Sequence, residues 1–298
     1  MQVPDSLKER IERVHGATGG AWLAHLPALL AECRQRWALE LDEPFANLSY
    51  NLVIPGRISG GAEVVLKVGV PCRELLTEAA ALELFAGQGA VRLLAHDVPR
   101  GILLLERVTP GRPLHEVQTD AEATRSAATL MQRLWRDAPL GHTFPTLAVW
   151  FRAFQKLRQR FDGGTGPFPS DIIARAERVF AELNASTERR VVLHGDLHHT
   201  NILSSARSGW LAIDPKGICD DAGYEVGSFM LNQLPAEADA TTQVLAQRLS
   251  IFSTELQINR TRLAGWAFCH AVLSAVWNFE EAADWRDTIR LARMIEQL

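Results

Sequence analysis

His194-Gly195-Asp196-Leu197-His198-His199-Thr200-Asn201, followed by Gly209-Trp210-Leu211-Ala212-Ile213-Asp214, is the stretch that decides how this chain reads. The residues leading into it, Arg189-Arg190-Val191-Val192-Leu193, and those at 209–213 are short apolar runs with the character of strands. The polar residues between them therefore stand at the edge of a buried scaffold. Asp196 and Asn201 are five apart on one loop, and Asp214 ends the next strand, facing them. Phosphoryl transfer from ATP asks for few protein groups. One carboxylate orients the attacking hydroxyl or accepts its proton, while a carboxylate and a carboxamide hold Mg²⁺ against the phosphates. The ordered set supplies these types. Each carboxylate alone reads as a cap or an ion-pair residue, and Asp-x-x-x-x-Asn alone says little; the information lies in the order.

Working outward, the helical half of the chain surrounds this motif. Helices are expected at 120–137, 146–161 and 170–186, with the loop Asp162–Pro169 dividing the last two, and helical patterns fill about 221–297. Before Thr109-Pro110-Gly111 the character differs. Residues 5–41 read as helical, with Pro27 expected to interrupt them. Asn47–Pro55 and Ala62–Gly69 read as a β-hairpin around Gly56–Gly61, residues 73–88 as a helix, and Val91–Val108 as two strands around Pro99-Arg100-Gly101. A smaller strand-containing half thus meets a larger helical half near residue 109.

The 298 residues suffice for two lobes with a substantial core. The net charge of −4 argues against a nucleic-acid partner and suits a cationic small molecule. Cys33, Cys72, Cys219 and Cys269 are scattered and read as small buried residues in a reducing compartment. The first ten residues lack the apolar core of a signal peptide, and no apolar run reaches the roughly 20 residues that span a bilayer. A cytoplasmic protein without membrane contact is expected. No Gly-x-x-x-x-Gly-Lys-Ser/Thr sequence supports a P-loop fold.

His194–Asn201 followed by Gly209–Gly217 closely resembles the aminoglycoside phosphotransferase superfamily. Asp214-Pro215-Lys216-Gly217 and Glu78-Ala79-Ala80-Ala81-Leu82 are similar to one branch of it, the aminoglycoside/hydroxyurea antibiotic resistance kinases, which include streptomycin 6-kinases. The resemblance covers nearly the whole chain. It implies an α+β, protein-kinase-like fold of two lobes: residues 1–108, a small antiparallel sheet with helices that binds nucleotide, and residues 109–298, a mainly helical lobe for catalysis and substrate. By position, Asp196 would be the catalytic base, and Asn201 and Asp214 the Mg²⁺ ligands. His194 would brace the loop, and His198 and His199 read as structural. Glu225 stands where the superfamily has an aspartate bracing the catalytic loop.

In the small lobe, Lys67 is one of only four lysines and lies inside the apolar run Val64–Val68, where an unpaired ammonium is costly. A kinase-like fold uses such a lysine to hold the α/β phosphates, paired to a helix glutamate. Glu74, Glu78 and Glu83 all lie in or near the following helix; the family pattern points to Glu78. The phosphate-covering loop, Phe45–Asn51, contains no glycine, a departure from protein kinases, and leaves Ser49 with nearby backbone N–H groups as candidate contacts. Leu103–Val108 resembles the segment that links the lobes and bonds adenine through its backbone, with Glu106 and Val108 flanking that position. Asp220, Asp221, Glu280 and Glu281 are candidate contacts for the acceptor, the last two near Trp277.

The expected activity is transfer of the ATP γ-phosphoryl group to a hydroxyl of an aminoglycoside-type acceptor such as streptomycin, with Mg²⁺ as the metal. The alternatives are a kinase for an amino alcohol or sugar, and a non-catalytic kinase-like binding module. Gly195-Asp196-Leu197-His198 also superficially fits a metallophosphatase site, but the other sequences such a site requires do not follow.

Overall fold

The computed structural model describes residues 3–46 and 48–298. The chain divides into two compact units, Met1–Thr109 and Pro110–Leu298.

The first unit opens with α1 (Asp5–Trp37), which continues through Pro27, where an interruption was expected. The break falls at Gly16 instead, at φ 54° and ψ −134°, a conformation open to glycine because it lacks a Cβ. Ala38, in the left-handed region, ends the helix, so the expected helix to residue 41 gives way to β1 (Leu39–Leu41). Then come β2 (Leu52–Ile58), β3 (Glu63–Val68), α2 (Arg73–Phe85), β4 (Leu93–Asp97) and β5 (Ile102–Glu106). The five strands form one antiparallel sheet in the order β1-β2-β3-β5-β4. The hairpin is as expected, except that its first strand starts only at Leu52. Strand alternation divides β3: Val64, Leu66 and Val68 join Leu7, Ile11, Leu26, Leu29, Leu30 and Cys33 of α1 in one core. Lys67 takes the opposite face.

The second unit contains β6 (Pro110–Pro113), α3 (Asp120–Leu134), α4 (Leu147–Trp150), α5 (Arg152–Arg160) and α6 (Ser170–Ala185). β7 (Arg190–Leu193), β8 (Ile202–Ser205), β9 (Gly209–Ala212) and β10 (Ile218–Asp221) follow, then α7 (Val226–Leu231), α8 (Ala238–Leu256), α9 (Arg260–Glu280) and α10 (Arg286–Glu296). α9 buries residues around its circumference, from Leu263 and Trp266 to Ala275 and Val276, and packs against α5, α6, α7, α8 and α10. β8 and β10, absent from the expected elements, organise the strands. β8 pairs with β9 as an inner hairpin, and β7 pairs with β10 outside it. The connections β7–β8 and β9–β10 are therefore brought together where the outer ladder gives way to the inner one. No helix among the described residues is long and apolar enough to cross a membrane.

Arg248 on α8 is fully buried and its donors are all engaged. It bonds the Asp120 carboxylate at the start of α3 at 2.5 and 3.0 Å, the Phe229 and Asn232 carbonyls at 2.9 and 2.8 Å, and the Gln233 carbonyl at 3.1 Å. It thus joins α8, α3 and the C-terminal end of α7. Arg248→Ala leaves one carboxylate and three carbonyls without their donor. The expected loss is about 3–5 kcal/mol of stability, read from urea denaturation at fixed pH; an unchanged midpoint would show that water replaces the guanidinium freely.

Candidate active site

The loop between β7 and β8 starts with two neighbouring amides that share one carboxylate. The N–H groups of His194 and Gly195 donate to Oε2 and Oε1 of Glu225, both at 2.8 Å. Gly195 has φ +82°, and a Cβ there would meet Ile218 at 3.0 Å and the Trp150 ring at 3.2 Å. Both the left-handed backbone and the lack of space require glycine. Burial raises the Glu225 carboxyl to about 7, against the lowering effect of the two amide bonds.

The His194 ring carries the next link. Its Nε2 donates to the Ile213 carbonyl at 2.7 Å, and its Nδ1 accepts the Asp196 N–H at 3.2 Å. A carbonyl only accepts and an amide only donates, so this ring is the neutral Nε2–H tautomer. Burial agrees, lowering its pKa to about 4. The Asn201 Nδ2 donates to the Asp196 carbonyl at 3.0 Å, and the Ile213 N–H donates to the Asn201 carbonyl at 3.0 Å. Asp196, Asn201 and Ile213-Asp214 are thus cross-linked by backbone and side chain. Because Nδ2 is used, Asn201 presents its amide oxygen as an acceptor. Asp214 lies just beyond β9 rather than on it, at φ +58°. Aspartate tolerates that region better than most residues, and such conformations cluster at functional sites.

Asp196 keeps its side chain about one-third exposed. One oxygen, Oδ1, accepts the Ser228 hydroxyl at 2.7 Å, with His198 Nε2 3.9 Å away. The His198 Nδ1 meets the Thr200 hydroxyl at 2.9 Å, and burial lowers its pKa. His199 stacks on Phe229 at 3.9 Å and faces Arg248; burial, with that guanidinium, depresses it to about 3. Both histidines are therefore packed and neutral, in keeping with a structural role. Ser228 carries no signal in one sequence: a serine three residues after Glu225 becomes noticeable only when α7 aims it at Asp196.

In the first unit, Lys67 and Glu78 form a buried ion pair, with Nζ at 2.7 and 2.8 Å from the two carboxylate oxygens. Lys67 lies on β3, between β2 and β5, not on an edge from which it would reach water. Glu74 is exposed, and Glu83 is exposed and pairs with His96. Ser49 is exposed; its carbonyl and that of Leu48 accept Arg10 Nη1 at 2.8 and 2.9 Å. Asn47 of the same loop lies outside the described residues. Glu106 ends β5, where its carboxylate accepts the Arg92 N–H at 2.9 Å, and Val108 is half-buried two residues later.

Two expected acceptor contacts require correction. Asp220 and Asp221 lie on β10, buried, with their oxygens committed. Asp220 accepts the N–H groups of Leu147 at 2.8 Å and Asp221 at 2.9 Å. Asp221 accepts the Gly223 N–H at 2.8 Å and the Thr187 hydroxyl at 3.0 Å, and pairs with Arg262. They fasten strands and helices together and do not face a small molecule. Glu280 and Glu281 are exposed at the end of α9.

Residues 36–282 match the family model of the aminoglycoside/hydroxyurea antibiotic resistance kinases. The chain belongs to this family. It is 32% identical over 285 residues to the streptomycin 6-kinase of Streptomyces griseus, covering 94% of this chain and 92% of that protein. It is 30% identical over 301 residues to the hydroxyurea phosphotransferase of Kitasatospora aureofaciens, covering 94% and 81%. Its fold is the protein-kinase-like one: the choline kinase LicA of Streptococcus pneumoniae superposes with a TM-score of 0.66 at 14% identity, over 92% of this chain and all of that one. As a member of this family the chain is a kinase, an enzyme that transfers phosphoryl groups.

The buried histidines of the kinase fix how its stability responds to acid. His194, His199 and His270 titrate at about 4, 3 and 4, whereas an unhindered imidazole titrates near 6.5. Between pH 6.5 and about 4 the unfolded chain therefore binds the extra protons, and stability falls as pH falls. His198, also lowered by burial, adds to these three, while Glu225 at about 7 and the raised Asp220 act in the opposite sense, two groups against four. The urea midpoint is expected to drop between pH 6.5 and 4; a flat or rising midpoint would show that these rings reach solvent.

Proposed function

We propose that this kinase transfers the γ-phosphoryl group of ATP to a hydroxyl of an aminoglycoside-type acceptor, with streptomycin the first candidate. The cross-link among Asp196, Asn201 and Ile213-Asp214 carries this reading, because phosphoryl transfer depends mainly on positioning and charge neutralisation. Asp196, with Oδ1 held by Ser228, offers Oδ2 to the acceptor hydroxyl and takes its proton as that oxygen bonds to phosphorus. Lys67, fixed by Glu78, holds the nucleotide phosphates. The bond from the γ-phosphorus to its bridging oxygen breaks, and ADP leaves.

Mg²⁺ fits the donor set. The Asp214 carboxylate and the Asn201 amide oxygen are hard oxygen ligands, and Mg²⁺ is commonly held by one or two side chains together with substrate phosphates and water. It would neutralise phosphate charge. Among the described residues no group of three or more His, Cys, Asp or Glu is arranged to hold a metal, as a two-metal phosphatase site would need. Hydroxyurea is the second acceptor to test, since the relative named for it is nearly as similar as the streptomycin kinase.

The test is Mg²⁺-dependent ADP release with streptomycin, other aminoglycosides, hydroxyurea, choline and simple sugars. Asp196→Asn is expected to lower kcat by at least about 100-fold, the scale of a lost general base. Lys67→Ala is expected to raise KM for ATP, and Ser228→Ala to lower kcat about tenfold with KM for ATP unchanged. Turnover that survives Asp196→Asn would remove that residue from the chemistry. Turnover confined to another acceptor would keep the mechanism and discard the aminoglycoside.

A further inference from the structure

The break at Gly16 divides α1 into two arms, and the bend between them is sharp. A Cβ on Gly19 would lie 2.7 Å from the Ile11 carbonyl oxygen and 3.0 Å from the Ile11 side chain. On a straight helix, residues eight apart stand about 12 Å apart along the axis. Both glycines are required, Gly16 for its backbone and Gly19 for lack of room. The short arm, residues 5–15, is anchored by Leu7 and Ile11, which are buried in the core of the first unit. Arg10 stands on the same side of the arm, three residues after Leu7 and one before Ile11. The arm lies ahead of residues 36–282, the part that the family model describes.

Arg10 grips the tip of the loop between Phe45 and Asn51, a loop fixed at both ends. The Phe45 N–H donates to the Val53 carbonyl at 3.0 Å, and Val53 is the partner of Lys67 in the β2–β3 ladder. At the other end the Asn51 side chain lies on Gly69, where a Cβ would collide with its Oδ1. Between these ends a single Arg10 nitrogen, Nη1, uses its two hydrogens on the carbonyls of Leu48 and Ser49, at 2.9 and 2.8 Å. The guanidinium also lies 6.0 Å from the centre of the Tyr50 ring. Leu48 packs against the core that holds Leu7 and Ile11. In a trans peptide the carbonyl and the following N–H point in opposite directions. Two carbonyls turned towards α1 therefore turn the Ser49 and Tyr50 N–H groups away from it. Consecutive amides aimed one way suit an anion. The loop has no glycine to let its amides find that direction, and the arginine sets it instead.

We propose that Arg10 is a positioning residue for the nucleotide: from the short arm of α1 it holds the loop tip so that the Ser49 and Tyr50 amides face the ATP phosphates. The inference rests on the kinase reading in taking Phe45–Asn51 as the phosphate-covering loop. The test is isothermal titration of the full-length protein with ATP and Mg²⁺ and, separately, with adenosine, which has no phosphate. Arg10→Met keeps the apolar stem and removes the donors, whereas Arg10→Lys keeps a charged donor able to serve both carbonyls. Arg10→Met is expected to weaken ATP binding about tenfold, the scale of hydrogen bonds from a charged group, and to leave adenosine binding within twofold. Arg10→Lys should recover most of the loss. Unchanged ATP affinity in Arg10→Met, equal weakening of ATP and adenosine, or lysine no better than methionine would each overturn the proposal; equal weakening is what a merely structural arm gives. ATP binding that Lys67→Ala abolishes and Arg10→Met leaves intact removes Arg10 alone. Wild-type protein that binds ATP no more tightly than adenosine sinks the kinase reading and this inference together.

Discussion

Glu225 is the point on which the candidate site depends. A buried carboxylate is costly unless its oxygens are bonded, and here each oxygen takes one backbone N–H from consecutive residues. That arrangement needs the two amides to point the same way, which the left-handed Gly195 achieves. Once His194 is held by its own N–H, its ring reaches Ile213. Ile213 is then fixed at both ends, its carbonyl by His194 and its N–H by Asn201. Asp214 follows in a left-handed conformation that neighbours on either side enforce, since the Lys216 N–H also returns to the His194 carbonyl at 2.7 Å. The strain is local and the restraints over-determine it.

The first unit solves a different problem with the same economy of groups. A buried Lys–Glu pair contributes little to stability compared with apolar residues of the same size. Lys67 and Glu78 are nevertheless set on β3 and α2 among buried residues that are mostly apolar: Leu66 and Val68 flank the lysine in sequence, and Ala79, Ala81 and Leu82 follow the glutamate. An ammonium kept in one position by a carboxylate in the interior is costly to maintain and useful for an anionic ligand. This is why the pair reads as function more than as fold.

Much of this was legible in the sequence because chemistry and periodicity coincided there. A lysine inside Val64–Val68 and a polar octet between apolar runs both break a local pattern, and such breaks are where functional groups stand. The two units could be told apart because apolar period two gives way to helical spacing near residue 109. What was not legible depends on tertiary neighbours. Leu39–Leu41 continues a helical pattern, yet becomes a strand because Ala38 turns left-handed and β2 offers a partner. Ile218–Asp221 is four residues long and half acidic, a poor strand by composition; pairing with β7 makes it one. Asp220 and Asp221 look like substrate carboxylates for the same reason that they are not: only the packed structure supplies the amide and guanidinium donors that consume them.

That correction bears on how relatives with one scaffold are named for such different acceptors as streptomycin and hydroxyurea. The nested ladders, Glu225 and the His194 ring leave little freedom, because each bond there fixes the next. Asp220 and Asp221 belong to that frame, so they are poor places for specificity to vary. Trp150 and Trp277 stand outside it. They are carried by α4 and α9, which bond to the frame through Leu147 and Arg262, while the two indole side chains are themselves only half-buried.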